Sequence, residues 1–194
     1  LLPTVNKIGF DTETTGLDPF TSQVLLIQIK IANEEFVINR GGVGKEFTVA
    51  LIKKIKDLDI LCIGHNIKFD MKMVFCDTGI WLTNIYDTMI AESVITSGLG
   101  GKYIALDALL LKYFSVEIEK ETTKEFIELN QQSSFTERQI TYSATDVLHL
   151  IDLYYEQEVL IKEAHLEKII DLECKVGPIV CKMEIEGITL DIDY

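Results

Sequence analysis

A mixed α/β fold, its sheet opening as an antiparallel meander and flanked by helices, follows from three observations. Apolar β-type segments crowd the first forty residues and are joined by short turn-rich links. Strand and helix patterns then alternate, and from Tyr103 onward the pattern is mostly helical. Finally, 47% apolar and 25% charged residues over 194 positions is ordinary globular composition, enough for one core without staples. One domain, or one domain plus a piece of another, is the expected content.

The first strand is expected at residues 5–11, the second at 23–30 ("QVLLIQIK") and the third at 35–39. A helix near 45–56 follows, then a strand in "ILCIGH" and a helix starting near Asn66. Another short strand should end near Tyr86, with Asp87 capping the helix of "DTMIAESVI". Residues 136–162 read as one long helix or two joined ones, with Ile140, Ala144, Val147 and Ile151 as the apolar stripe. The glycine runs "RGGVGK" and "SGLGGK" lack the spacing of a phosphate loop and read as flexible connections.

Charge and cysteines narrow the classes. The net charge of −13, from 31 acids and 18 bases, argues against a domain that grips nucleic acid by its surface field. Cys62, Cys76, Cys174 and Cys181 form no Cys-x-x-Cys pair, and are read as reduced, core-type residues rather than a zinc or redox site. Neither a leader nor an apolar run of membrane-spanning length is visible, so an intracellular, cytoplasmic monomer with no membrane attachment is expected. The absence of an initiating Met suggests a trimmed chain.

Three short stretches carry the chemistry. In "FDTETTGLDP", Asp11 and Glu13 stand two apart on a strand and so share a face. In "GHNIKFD", Asn66 and Asp70 are one helical turn apart, and in "YSATD" so are Tyr142 and Asp146. Each alone reads as well as an acidic turn, a helix cap or a chance pair. Together they bring four carboxylates from three elements beside apolar sequence, where like charges repel unless a counter-charge joins them. Two divalent cations balance four such charges, and oxygen-only ligands favour Mg²⁺ or Mn²⁺ over zinc. Two such ions about 4 Å apart are the arrangement for in-line phosphodiester displacement.

Asp11-x-Glu13, Asn66-x3-Asp70 and Tyr142-x3-Asp146, in this order, resemble the three motifs of the DEDD 3'–5' exonucleases. The tyrosine subclass is indicated, because the sister subclass has His five residues before the last Asp, where this chain has Thr141. His149 follows the motif and is read as a helix-surface residue. "FDTETTGLDP", "IYDTMIAESVI" and the tail "KVGPIVCKMEIEGITLDID" are similar to the proofreading exonuclease domain of family-A, polymerase I type, DNA polymerases. The stretch 115–134 follows that pattern loosely and has some ribonuclease D flavour, so Phe126 is left out of the site.

The resemblance implies a ribonuclease H-like mixed five-stranded sheet, with an exonuclease domain over 1–162 and a connecting helix and the start of a polymerase domain over 163–194. It implies that Asp11, Glu13 and Asp146 hold one cation, and that Asp11 and Asp70 act on a second. Tyr142 would orient the attacking water, since a phenol of pKa about 10 is a poor base at neutral pH. Thr14, Leu17 and Asn66 would hold the 3' nucleotide, while Phe69 packs in the core. The implied substrate is a single-stranded or frayed DNA 3' end, with a polymerase domain in the same chain supplying the grip on duplex. Lys68 and Lys72 would then suffice as local phosphate contacts. A ribonuclease D-type RNA trimming enzyme and a catalytically silent scaffold are the competing readings.

Overall fold

A computed structural model describes residues 5–96, 104–117 and 125–190. Strands β1 (Lys7–Thr14), β2 (Val24–Ile31) and β3 (Glu34–Asn39) form the antiparallel meander. On the other side of β1 come β4 (Leu61–Gly64) and β5 (Ile85–Asp87), both parallel, giving the order β3-β2-β1-β4-β5. The expected mixed five-stranded sheet is present. Its hand changes at β1, where an antiparallel neighbour meets a parallel one. Such a switch point opens a crevice at the carboxyl end of the strand.

Alternation along β1 divides its duties. Ile8 and Phe10 enter the main core with Ile27, Ile29, Ile52, Ile55 and Met71. Gly9, Asp11 and Glu13 take the opposite face. Strand β1 runs past Asp11 to Thr14, three residues beyond the expected end, so both carboxylates lie within the strand. Glu13 pairs with Leu26 and Thr14 with Val24, which leaves Leu25 as a bulge in β2 beside the two acids.

Helix α1 (Arg40–Asp57) begins five residues before the expected start. The "RGGVGK" run is therefore a capped helical turn, not a loose connection: the Asn39 side chain accepts from the Gly42 N–H at 3.0 Å. The break comes at Gly44, whose φ of 81° suits glycine. Arg40 grips Asp77 with two nitrogens at 2.7 and 2.9 Å, fastening α1 to the end of α2 (Lys68–Thr78). The second glycine run, "SGLGGK", lies outside the described residues.

Asp87 caps α3 (Thr88–Ile95) as expected, accepting from Met89 and Ile90. Helix α4 (Leu106–Phe114) follows, then α5 (Glu137–Leu148), opened by a reciprocal Thr136–Gln139 capping box. A break at His149 separates α5 from α6 (Leu150–Glu163), and α7 (Glu167–Glu186) closes the described chain. Ile170 and Cys181 bury α7 against the sheet domain. Among the cysteines, Cys62 and Cys181 are buried and Cys174 is half-buried, but Cys76 is exposed on α2 and is no core residue. No described helix is long and apolar enough to cross a membrane.

The expected α5 stripe holds at Val147 but not at its start. Ile140 is 43% exposed, and the buried residues are Gln139, Ser143 and Val147. The reason is the partner: α5 lies over β1, β2 and β3, above the face that carries the acids, so its inward side is partly polar. Close approach depends on Gly9, where a Cβ would meet the Val147 carbonyl oxygen at 3.2 Å.

Candidate active site

Strand β1 holds Asp11 and Glu13, α5 brings Asp146 down onto them, and α2 supplies Asp70 from the far side of the crevice. One carboxylate oxygen from each of Asp11, Glu13 and Asp146 lies within 4.8 Å of the others. Asp70 stands outside that trio but lines the same open cleft of about 330 Å³, with Thr14, Leu17, Asn66 and Tyr142. All eight residues named for the site from sequence therefore border one cleft. Glu13 and Asp70 are buried, Asp11 and Asp146 half-buried, and Leu17 stands out at the rim, 85% exposed.

Gathering these acids has an electrostatic cost. Burial, then repulsion from Asp70, Asp146 and Glu13, raises the Asp11 carboxyl well above its usual range. Burial, with Asp146 and Asp70 nearby, pushes Glu13 up to about 8. Asp70 and Asp146 are each pushed to about 7, mainly by burial. No lysine or arginine is among the described residues lining the cleft. The donor set is all oxygen, clustered and short of positive charge, which fits hard divalent cations and no softer metal.

Neutral donors hold the acids in place, and two of them, Thr12 and Ser143, were missed from sequence. The Thr12 hydroxyl donates to Asp70 at 2.6 Å. Thr12 lies between Asp11 and Glu13 and so faces the other side of the sheet, toward α2; the period-2 alternation alone could have located it. Ser143 hydrogen-bonds Glu13 from α5, and Tyr142 hydrogen-bonds Asp146, its neighbour one turn on. His65 also lines the cleft, its Nδ1 2.9 Å from the Thr88 hydroxyl, and burial lowers its pKa to about 4, so it is neutral at physiological pH.

Two expectations change. Helix α2 starts at Lys68, so Asn66 does not share a helical face with Asp70. It sits before the helix with a left-handed φ of 57°, its backbone N–H held by Asp87 at 3.0 Å, and reaches the cleft from a turn. Lys68 and Lys72 are not poised for phosphate: both pair with Glu184 of α7, at 2.6 and 2.7 Å. Phe126 is fully buried against Leu25 and Leu26, and the cleft residue from that segment is the exposed Ile127. As expected, Phe69 packs against the core, although it also borders the cleft. His149 is a half-buried residue at the helix break, away from the cleft, near Asp152 and stacked on Phe114.

A model of the 3'-5' exonuclease domain of the DNA polymerase A type matches residues 2–161. The chain belongs to this family. It is 28% identical, over 96% of its own length, to the DNA polymerase DpoZ of Vibrio phage phiVC8, of which it covers 33%. It is also 28% identical, over 75% of its length, to the ribonuclease D of Desulfotalea psychrophila, covering 37% of that protein. The chain thus spans about a third of the length of these curated relatives. Among solved structures, Brucella melitensis NrnC bound to pGG superposes with a TM-score of 0.83 at 25% identity, covering 98% of this chain and 91% of that one. The ribonuclease H-like sheet expected from the motifs is shared with these exonucleases. DEDD exonucleases use divalent metals, and Asp11, Glu13 and Asp146 form an acidic cluster of that kind here.

Proposed function

We propose that the chain is a two-metal 3'–5' exonuclease domain that removes nucleoside monophosphates from frayed or single-stranded DNA 3' ends, as the proofreading part of a family-A DNA polymerase. The observation that carries this reading is the oxygen trio of Asp11, Glu13 and Asp146 within 4.8 Å, with Asp70 across the cleft and no cationic side chain among its described lining. Asp11, Glu13 and Asp146 would hold one Mg²⁺ or Mn²⁺, and Asp11 and Asp70 would act on the other. When bound, such ions activate the attacking water and stabilise the leaving oxygen.

The chain's own residues do the rest. Thr12 and Ser143 fix Asp70 and Glu13 by hydrogen bonds. Tyr142 orients the attacking water from beside Asp146 without needing to accept its proton. Leu17, exposed at the rim, meets the terminal base, while Thr14 and Asn66 border the 3' nucleotide. With so few cations at hand, affinity for duplex comes from a polymerase domain in the same chain. Similarity to DpoZ across nearly the whole chain supports that link. The uncovered Leu172, Ile179 and Met183 on α7 support reading 163–194 as a connecting helix and the start of the next domain.

A second reading, a ribonuclease D-type exonuclease trimming RNA 3' ends, is favoured by the similarity to the ribonuclease D of Desulfotalea psychrophila. Degradation of 5'-labelled single-stranded DNA, single-stranded RNA and a dinucleotide, with Mg²⁺ or Mn²⁺, separates the two. Faster loss of DNA supports proofreading; preference for RNA or the dinucleotide replaces it. The Asp11→Ala/Glu13→Ala double variant is expected to be inactive on every substrate. Activity equal to wild type in that variant would move the chemistry out of this cleft.

A further inference from the structure

Strand β2 is buried along its whole length, and one of its inward residues is an amide. Gln28 is 0% exposed, and neither its Nε2 nor its Oε1 has a hydrogen-bond partner. Buried side-chain amides without partners are uncommon, and each one calls for an explanation. The register shows where it is aimed. Gln28 stands directly opposite Asp11 across the β1–β2 ladder, on the same face of the sheet, where facing Cβ atoms lie about 4.5–5.5 Å apart.

The other polar groups around it are engaged. Lys30, two residues on, pairs with Glu35, and on the far side Gln28 faces Val37 of β3. From α5 above, Gln139 is occupied by Thr136 and Glu125, and Ser143 by the Gln139 carbonyl and Glu13. Of the carboxylates on this face, Asp11 is the one directly opposite Gln28, and a carboxylate takes about four hydrogen bonds or ligand contacts.

We infer that Gln28 is a positioning residue for Asp11, its carboxamide N–H donating to that carboxylate when the cleft holds its divalent ions. The inference rests on the two-metal reading of the cleft and adds the group behind its central ligand. Ligating carboxylates are oriented by donors of this kind, and losing such a donor weakens metal binding about 10- to 100-fold. A methionine or leucine at position 28 fills similar space without the amide, so both variants should fold at least as well as wild type.

The test is Mn²⁺ titration of wild type, Gln28→Met and Gln28→Leu, read by loss of the free-ion EPR signal, with thermal melts alongside. Ile27→Val, on the opposite face of the same strand, serves as a packing control. The expected result is a Kd for Mn²⁺ raised about tenfold in both Gln28 variants, with Tm unchanged or higher, and an unchanged Kd in the control. Wild-type Mn²⁺ affinity in folded Gln28→Met or Gln28→Leu overturns the role of Gln28 and leaves the metal site standing. Failure of wild type to bind Mn²⁺ at all overturns the metal reading, and this inference with it.

Discussion

Two buried acidic sites in this protein are built on opposite principles. Glu92 of α3 is 1% exposed and fully provided for: Lys112 reaches it at 2.6 Å, the Tyr113 hydroxyl at 2.8 Å and the Gln157 amide at 3.3 Å. The cleft acids receive hydroxyl donors but, among the described residues, no lysine or arginine, and stand close enough to repel one another. A fold that can bring a cation to a buried carboxylate did so at one site and not at the other. The cleft is thus arranged for a counter-charge from solution, and removing an acid should act in opposite directions at the two places.

The largest contrast should come from Asp146→Asn against Glu92→Ala. On the two-metal reading, losing Asp146 removes a metal ligand, and several kcal/mol of transition-state stabilisation correspond to an activity drop of about 10³-fold or more. Its metal-free melt at pH 8 should nevertheless rise, because one repelling charge is gone. Glu92→Ala leaves Gln157 and Tyr113 short of an acceptor and should cost about 2–3 kcal/mol, roughly 4–12 °C in Tm, with turnover per folded molecule kept. Scanning calorimetry and a strand-degradation assay check both. A metal-free Asp146→Asn that melts below wild type at pH 8 would show that the cleft is not strained by charge.

A smaller effect separates the sites by pH. Glu13 is pushed up to about 8 and Asp70 and Asp146 to about 7, against about 4 for these groups in an unfolded chain. Between those values the folded state holds protons that the unfolded state has released, so stability falls as pH rises. The Tm of metal-free protein should therefore decline from pH 5 to pH 8. Saturating Mg²⁺ or Mn²⁺ should restore most of the loss at pH 8, since the ions compete with protons for the same oxygens. In Asp146→Asn the decline should be shallower.

The two sites also differed in how far they could be read from sequence. Asp11, Glu13 and the Tyr142–Asp146 pair were legible because their spacing matches the period of the element that carries them. Strand order followed the same logic: alternating apolar segments with short links gave the meander, and strand–helix alternation gave the parallel pair. Geometry created by packing was not legible. Asn66 was assigned to a helix that begins two residues later, because its left-handed turn is fixed by Asp87, twenty-one residues away. Ile140 was assigned to the core because an apolar residue was assumed to face inward, whereas the inward face of α5 meets carboxylates. Lys68 and Lys72 looked free until α7 brought Glu184 against them. The Glu92 site joins α3, α4 and α6, and no short-range pattern announces it.

The smallest effect qualifies the contrast, because the cleft is not bare of support. The Thr12 hydroxyl donates to Asp70 across a buried 2.6 Å contact, and this bond lowers the Asp70 carboxyl against the upward push of burial. Thr12→Val keeps the shape and removes the donor. A buried hydrogen bond of this kind is worth about 1 kcal/mol net, or roughly 2–4 °C in Tm. In wild type the bond favours the ionised form of Asp70, the form that the two-metal reading requires. Its loss should therefore make Asp70 harder to ionise and raise the Mn²⁺ concentration for half-maximal activity at pH 7 up to about tenfold, less so at pH 9, where Asp70 ionises without help. A shift of equal size at both pH values would mean that Thr12 acts by packing alone. A shift that shrinks with pH would place a neutral hydroxyl, rather than a cation, as the aid this cleft gives its outlying acid: strong enough to keep Asp70 ready for metal, and weak enough to leave the site's charge unbalanced until metal arrives.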